Sequence, residues 1–296
     1  MIYYYGLSLK GRSHNEQSLP CQDAHIAVQL TDTIWLAAVA DGVGSASRSE
    51  QGSTLAVTAL ADFCSTTVQT CPDWIELLKD GFCNALDAVT TKSQEEQTAL
   101  CEYDTTLTAV IYDGTQVAYG QSGDGGVIGM DCDGHYELLT QVQKGEAFNE
   151  VCPLRCGQSK WTFSQMEKEY SGLLLLTDGV LDVTVPTLLS GQPEPLYINF
   201  IRRFLSKETL CSKPEEKERL SEGCAAFLES SFCSAITDDM TVLSIWNTEA
   251  NCSIPSPDYF TEPDWAMLRR MRYNLLYPQS IPNKEKVSDD CKKQQI

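Results

Sequence analysis

The chain has 296 residues, of which 42% are hydrophobic and 21% are charged, so it is predicted to be globular rather than collagen-like or disordered. Its 41 acidic and 22 basic residues give a formal net charge of −19, which disfavours a nucleic-acid partner. No segment approaches the roughly 18 consecutive apolar residues of a membrane span, and the N-terminus lacks a signal-peptide pattern. We therefore expect a cytoplasmic protein whose 13 cysteines are mostly reduced.

Short segments rich in Val, Ile, Leu, Thr or Tyr, bounded by Gly, Asp or Asn, predict β-strands along most of the chain. Tight turns join several neighbouring segments, which favours antiparallel pairing over a doubly wound parallel sheet. The predicted strands span residues 2–8, 25–30, 33–40, 105–112, 116–121, 125–130, 172–177 and 241–246.

Apolar residues at helical spacing predict two long helices, at residues 49–64 and 72–89, that pack against each other. Further helices are expected at residues 195–205 and 214–229. The segment 143–163 has little periodicity and is predicted to be an irregular excursion.

The composition changes near residue 248. We predict one domain over residues 1–247 and a C-terminal extension over residues 248–296, whose polar end we expect to be disordered. Within the extension, residues 264–276 predict a short amphipathic helix that carries three arginines. This helix could contact a partner or a membrane surface, but we favour a helix docked on the acidic body. Its apolar stripe consists of Trp265, Leu268, Met271 and Leu275.

Aspartates recur at or near the ends of the predicted strands, often beside glycine. A single Asp-Gly pair is usually an ordinary turn. Carboxylates gathered from several strand ends, however, repel one another unless a cation lies among them, so together they predict a metal site. The aspartates of this group are Asp23, Asp41, Asp124, Asp178, Asp182, Asp238 and Asp239.

The chemistry of these ligands indicates the metal. Oxygen donors without neighbouring His or Cys suit Mn²⁺ or Mg²⁺ rather than zinc, and glycine lets a backbone carbonyl approach the ion closely. Two such ions about 4 Å apart can share a bridging water, lower its pKa to about 7 and present hydroxide to a phosphorus atom. The sequence therefore favours metal-activated water over a covalent mechanism.

In their order and spacing, these segments resemble the metal-dependent type-2C protein phosphatases (the PPM family), especially the compact bacterial branch. The resemblance covers about residues 5–246 and implies an α+β fold, a four-layer αββα sandwich of two antiparallel β-sheets flanked by helices. It also implies hydrolysis of phosphoserine or phosphothreonine in proteins, opposing a protein kinase. The matching text is PCQDA at 20–24, ADGVGS at 40–45, GDGG at 123–126, LLTDGVLDV at 175–183 and DDMTVL at 238–243.

The resemblance implies roles for individual residues. Asp41 resembles the carboxylate that bridges two core metal ions, and the Gly42 carbonyl resembles a further ligand. Asp178 and Asp238 resemble the remaining ligands of the first ion, while Asp23 would hold a metal or its water.

Other matched positions extend or modify this site. By the same resemblance, Asp124 and Asp182 look like ligands of a third, weaker metal ion. Asp239 stands where asparagine is common and is expected to support the ligands. Gln22 stands where many members have an acid, so the second ion is expected to bind less tightly. Residues 144–156 resemble in position the mobile flap that influences substrate choice.

The resemblance leaves the phosphate contacts open. Val43 stands where many eukaryotic members have a histidine that protonates the leaving group. His14 could serve as phosphate contact or general acid, or could be a structural histidine. Arg12 is the candidate phosphate clamp, because a guanidinium matches phosphoryl oxygens, and Lys10 and Arg48 are the alternatives.

Two other functions remain to be weighed. An aspartyl-phosphate phosphohydrolase would need a second aspartate two residues after Asp41, where Val43 stands. A phosphatase-like domain that no longer catalyses could instead bind phosphoproteins or act as a regulatory scaffold. Retention of all the core aspartates argues against that alternative, because an unused carboxylate cluster costs stability.

Overall fold

The structure is a computed structural model that describes residues 1–141, 151–210 and 216–277. Ten β-strands and eight α-helices lie in these residues. The strands are β1 (Ile2–Leu9), β2 (Ala24–Gln29), β3 (Trp35–Ala40), β4 (Leu107–Tyr112), β5 (Val117–Ser122), β6 (Gly126–Met130), β7 (Tyr136–Leu138), β8 (Thr162–Gln165), β9 (Gly172–Leu176) and β10 (Met240–Asn247). The helices are α1 (Arg12–Gln17), α2 (Ser49–Thr67), α3 (Trp74–Glu95), α4 (Asp178–Thr184), α5 (Ile198–Ile201), α6 (Lys207–Leu210), α7 (Lys217–Leu228) and α8 (Trp265–Leu276).

The strands form two five-stranded sheets in which every pairing is antiparallel. Sheet A has the order β1-β10-β9-β6-β7, and sheet B has the order β2-β3-β4-β5-β8. The first and last strands of the described chain are neighbours, with Ile2 opposite Asn247 and Leu9 opposite Met240. The predicted antiparallel α+β sandwich is confirmed.

Alternation of side chains along each strand divides the apolar residues among three cores. In β3, Leu36, Ala38 and Ala40 face the helices that cover sheet B, whereas Ala37 and Val39 face sheet A. Successive side chains of a strand point to opposite faces, so a strand buried on both sides must be apolar throughout. The layers are therefore helices, sheet B, sheet A and helices.

Aromatic residues fill the outer core between sheet B and its helices. Phe82 of α3 is fully buried, and its ring lies 5.6 Å from that of Trp161 and 5.1 Å from that of Phe163. Both contacts are edge-to-face, a favourable geometry for aromatic rings. On the other side of the molecule, Phe200 and Phe204 lie at the centre of the core between sheet A and its helices.

All eight predicted strands are present, with ends within two residues of the prediction. Strands β7 and β8 were missed, because they are only three and four residues long and lie at sheet edges. The helix predicted at 195–205 was too long, since α5 has only four residues. Residues 144–150 of the predicted flap lie outside the described residues. The eleven cysteines of the described residues are free thiols.

The extension after β10 packs on the helical side of sheet A. Tyr259 accepts a hydrogen bond from the Tyr136 amide at 2.8 Å, and the Trp265 ring lies 5.0 Å from that of Tyr197. Docking of α8 is limited to its first turns, because Leu268 is buried whereas Leu275 is 82% exposed. The polar end of the extension lies outside the described residues, and the domain division and a partner contact through α8 stay predictions.

None of the helices in the described part of the chain is long and apolar enough to cross a membrane.

Truncation of Phe82 tests the outer core of sheet B. We expect Phe82→Ala to lower the free energy of unfolding by about 3–5 kcal/mol, because it leaves a cavity beside Trp161 and Phe163. Urea unfolding followed by circular dichroism measures the change. The exposed Leu275→Ala serves as control and should change stability by less than about 0.5 kcal/mol. Equal effects of the two substitutions would contradict this packing.

Candidate active site

Asp41 directly follows β3 and is held by the segment that precedes β4. Its amide donates to Thr106 Oγ1 at 2.9 Å, and its carbonyl accepts from the Thr106 amide at 2.8 Å and from Thr105 Oγ1 at 3.0 Å. At Gly42, an added Cβ would lie 2.7 Å from the Cβ of Ser49, so only glycine lets the chain pass here. The backbone around Asp41 is therefore fixed.

Asp178 follows β9 and begins helix α4, with Thr177 as its N-cap. The next residue, Gly179, lies so close to the loop before β10 that a Cβ would come within 2.3 Å of the Asp239 carbonyl oxygen. Glycine at this position brings Asp178 up to the Asp238-Asp239 pair. Asp182 lies one helical turn further along α4 and is exposed.

Asp124 lies in the turn between β5 and β6. Gln121, which is fully buried, donates from Nε2 to the carbonyl oxygens of Gly123 at 3.1 Å and Gly125 at 2.9 Å. Gly123 has φ +98°, a conformation that other residues adopt only with strain. One buried amide therefore braces both sides of Asp124.

Three of the predicted ligands meet at this edge of the two sheets. Oxygen atoms of Asp41, Asp124 and Asp178 all lie within 4.8 Å of one another. The Asp41 carboxyl group is also within hydrogen-bonding reach of Asp23 and Asp178. Asp238 is exposed at the rim, and its negative charge acts on both Asp41 and Asp178.

Burial and mutual repulsion make the carboxyl groups weak acids. Burial, partly offset by hydrogen bonds, raises the pKa of Asp23 to about 7. The pKa of Asp178 rises to about 6 because of burial and then the charge of Asp238. The pKa of Asp41 lies well above its usual value, through burial and then the charges of Asp23 and Asp178. Such a cluster favours the binding of a cation, because the cation offsets the repulsion between the carboxylates.

Asp239 is buried next to the cluster, and its carboxylate binds backbone amides of two other segments. Its carboxylate accepts the Gly11 amide at 2.6 Å and the Gln22 amide at 2.5 Å. His14 Nδ1 lies 2.9 Å from the same carboxylate, without the angle of a hydrogen bond. Asp239 thereby ties α1 and the residue before Asp23 to the start of β10. His14 is buried against this carboxylate, and its role as phosphate contact or acid stays a prediction.

The predicted phosphate clamps have different surroundings. Arg12 is exposed at the start of α1, which a backbone hydrogen bond ties to Thr237, next to Asp238. Lys10 is half-buried just before this helix. Arg48 instead forms an ion pair with Glu96, so it is already engaged on the helical face.

Two residues beside the site were not found from the sequence. One is Gln121, whose buried amide could have been suspected only from its place in an apolar strand before an Asp-Gly turn. The other is Arg155, whose Nε donates to Asp104 Oδ1 at 2.5 Å. The Asp104 carbonyl accepts the Val43 amide at 2.9 Å, which places this ion pair against the loop after Asp41. No sequence pattern marks Arg155.

The two-sheet sandwich with a carboxylate cluster at one edge defines an enzyme of the metal-dependent phosphoprotein phosphatase class. The family profile described as Protein phosphatase 2C matches residues 10–227. The chain belongs to the protein phosphatase 2C family, and the resemblance stated from its motifs is confirmed.

Solved structures of low sequence identity share this fold. A bacterial serine phosphatase is 15% identical with a TM-score of 0.58, covering 83% of this chain and 98% of its own. The catalytic domain of the phosphatase PstP, in complex with two manganese ions, is 18% identical with a TM-score of 0.54, covering 83% and 97%. Stp1 from Staphylococcus aureus is 15% identical with a TM-score of 0.53, covering 83% and 95%. The comparison with curated proteins gave no match.

The raised carboxyl pKa values predict how the stability of the metal-free protein depends on pH. An unfolded aspartate has a pKa of about 3.9, whereas Asp178 reaches about 6 and Asp23 about 7. Between these values the folded state binds more protons than the unfolded chain, so stability falls as pH rises. We expect EDTA-treated protein to have a lower Tm at pH 8 than at pH 5, and Asp178→Asn to reduce this difference.

Added Mn²⁺ should raise the Tm at pH 8 in the unmodified protein and much less in Asp178→Asn, as measured by differential scanning fluorimetry. The same pH dependence in both proteins would show that the cluster does not titrate as described.

Proposed function

We propose that this chain is a protein serine/threonine phosphatase that hydrolyses phosphoserine and phosphothreonine with the help of bound Mn²⁺ or Mg²⁺. The observation that carries the proposal is the meeting of Asp41, Asp124 and Asp178, which come from three different strand ends and lie within 4.8 Å of one another. Rigid strand ends are where a catalytic group is best held in position. Burial of like charges at such a place is a common mark of a functional site.

The donor atoms fit divalent cations. Asp23 is 8% exposed, and its Oδ1 accepts no hydrogen bond from the described residues, so it is available to a cation. We propose that Asp23, Asp41, Asp178 and Asp238 hold two core ions, together with the Gly42 carbonyl. PstP, which shares the fold, was crystallised with two manganese ions.

A third ion would involve Asp124 and Asp182. Asp124 lies within the group formed with Asp41 and Asp178, which supports a site that shares carboxylates with the core. Asp182 is one turn from Asp178 on α4, and its charge contributes to the raised pKa of Asp178. Its exposed position suits a weakly held ion.

Bound divalent ions would supply two effects, polarisation of the phosphoryl oxygens and activation of water as the attacking nucleophile. The chain's own residues would hold and orient the phosphoserine or phosphothreonine. Arg12, exposed in a segment whose backbone lies against Thr237 and Asp238, is the proposed contact to the phosphoryl oxygens. His14 is the proposed general acid, and its Nδ1 lies 2.9 Å from the buried Asp239 carboxylate, which fixes the position of the ring.

The charge of the chain bears on substrate choice. A net charge of −19 would repel acidic segments, so basic or neutral ones would approach more readily, and we propose basic or neutral phosphorylated segments as substrates. We further propose that these are cytoplasmic phosphoproteins produced by a protein kinase.

The activity is tested directly with a phosphothreonine peptide and millimolar Mn²⁺. We expect phosphate release that stops on addition of EDTA, and a loss of at least about 100-fold in kcat in Asp41→Asn and Asp178→Asn. The control is Asp62→Asn, which changes an exposed aspartate on α2 and should leave kcat unchanged. No phosphate release from folded, Mn²⁺-binding protein with several phosphopeptides would favour the non-catalytic scaffold.

Substitution of Arg12 tests the phosphate contact. We expect Arg12→Ala to raise KM about 10-fold, because a charge-assisted hydrogen bond to phosphate is lost. Arg12→Lys should recover part of the loss. Arg219→Ala, which removes an exposed arginine paired with Glu216, is the matched control. An unchanged KM in Arg12→Ala would remove this residue from the phosphate site, and Arg155→Ala would then be the next variant to compare.

A further inference from the structure

Thr177 makes a buried hydrogen bond that joins the two sheets at the candidate site. It stands at the end of β9 in sheet A, and its Oγ1 donates to Asp23 Oδ2, next to β2 in sheet B, at 2.8 Å. Thr177 is 1% exposed and Asp23 is 8% exposed, so water does not compete strongly for this contact. The bond spans 154 positions of sequence.

The direction of this hydrogen bond is fixed by a second one. A threonine hydroxyl has one proton to donate and lone pairs to accept with. Thr177 Oγ1 accepts the backbone amide of Thr241 in β10 at 3.1 Å, and that amide belongs to a strand held on both sides. The hydroxyl proton is therefore left to point at Asp23. Rotation away from Asp23 would leave buried hydrogen-bonding groups without partners, which is costly.

A second hydroxyl, that of Thr241, lies beside the same carboxyl group. Thr241 is fully buried and lies within hydrogen-bonding reach of Asp23. Its Oγ1 donates its single proton to Ser8 Oγ at 2.7 Å, so Thr177 remains the hydroxyl that donates to Asp23. Ser8 Oγ lies 2.9 Å from His25 Nδ1. Side chains from β1, β2 and β10 thus converge behind Asp23, and Thr177 holds Oδ2 of its carboxylate.

The result is a carboxylate with two different oxygens. Oδ2 is bound to Thr177, whereas Oδ1 is buried and accepts no hydrogen bond from the described residues. Asp41 lies within hydrogen-bonding reach of this carboxyl group. Resting on the proposed metal-dependent function, we propose that Thr177 is a positioning residue that orients Asp23 so that its Oδ1 faces the cation.

The test is the Mn²⁺ affinity of Thr177→Val, measured from the free-ion electron paramagnetic resonance signal and therefore independent of activity. We expect about a 10-fold weaker affinity, as found when groups that orient a ligand are removed. Thr177→Ser keeps the hydroxyl and should bind Mn²⁺ within about threefold of the unmodified protein. If Thr177→Val does not fold, Thr177→Ala takes its place, with the same expectation.

Thr184→Val is the matched control. Thr184 lies in the adjoining helix α4, is 1% exposed, and donates from Oγ1 to the Val180 carbonyl at 2.8 Å. Thr184→Val also loses a buried hydroxyl, so its drop in Tm can be compared with that of Thr177→Val. Its Mn²⁺ affinity, however, should not change. The proposal is overturned if Thr177→Val binds Mn²⁺ as tightly as Thr184→Val, or if Thr177→Ser is as weak as Thr177→Val.

Failure of the positioning role of Thr177 can be distinguished from failure of the proposed metal-dependent function. If Asp41→Asn abolishes Mn²⁺ binding and Thr177→Val does not weaken it, the metal site stands and the positioning role fails. If the unmodified protein binds no Mn²⁺, both fail together.

Discussion

Several carboxyl groups of this protein are held close together in a place where their charges repel. Asp41 and Asp178 follow strands of different sheets, and each is held by backbone contacts that leave room for glycine alone at the next residue. Burial of the three apolar cores supplies the favourable free energy of folding that offsets this repulsion and holds the sheets against each other. The folded core therefore stabilises a site that is unfavourable by itself.

Most of the fold could be predicted because the strands carry a strong local signal. Leu173 to Leu176 form a continuous apolar run, as expected for a strand buried on both faces, and β3 has the same character. The C-terminal helix was predicted correctly in its bounds but not in its packing. Its apolar stripe runs along the whole helix, whereas only the part near Trp265 and Leu268 packs against the rest of the domain.

For the candidate site, the sequence identified the aspartates but not what holds them. An Asp-Gly pair at a strand end is visible locally, so Asp41, Asp124 and Asp178 could be proposed before their proximity was known. The contact of Asp239 with Gly11 depends on which segments meet in space, whereas Gln121 braces the turn at Asp124 locally through an amide that nothing in its residue type distinguishes from other strand residues. No local pattern encodes such meetings, and the same holds for Arg155.

The pairing of β1 with β10 has a consequence for how the chain folds as it is synthesised. Leu9 lies opposite Met240, and the carboxylate of Asp239 holds Gly11 and Gln22, so the N-terminal segment lacks its partners until about 240 residues have been made. Contacts of such long sequence separation slow folding, because the closing of a long loop precedes any gain from the contact. The candidate site is thus among the last parts to be completed, because Asp238 and Asp239 reach the other aspartates only when the domain is nearly whole.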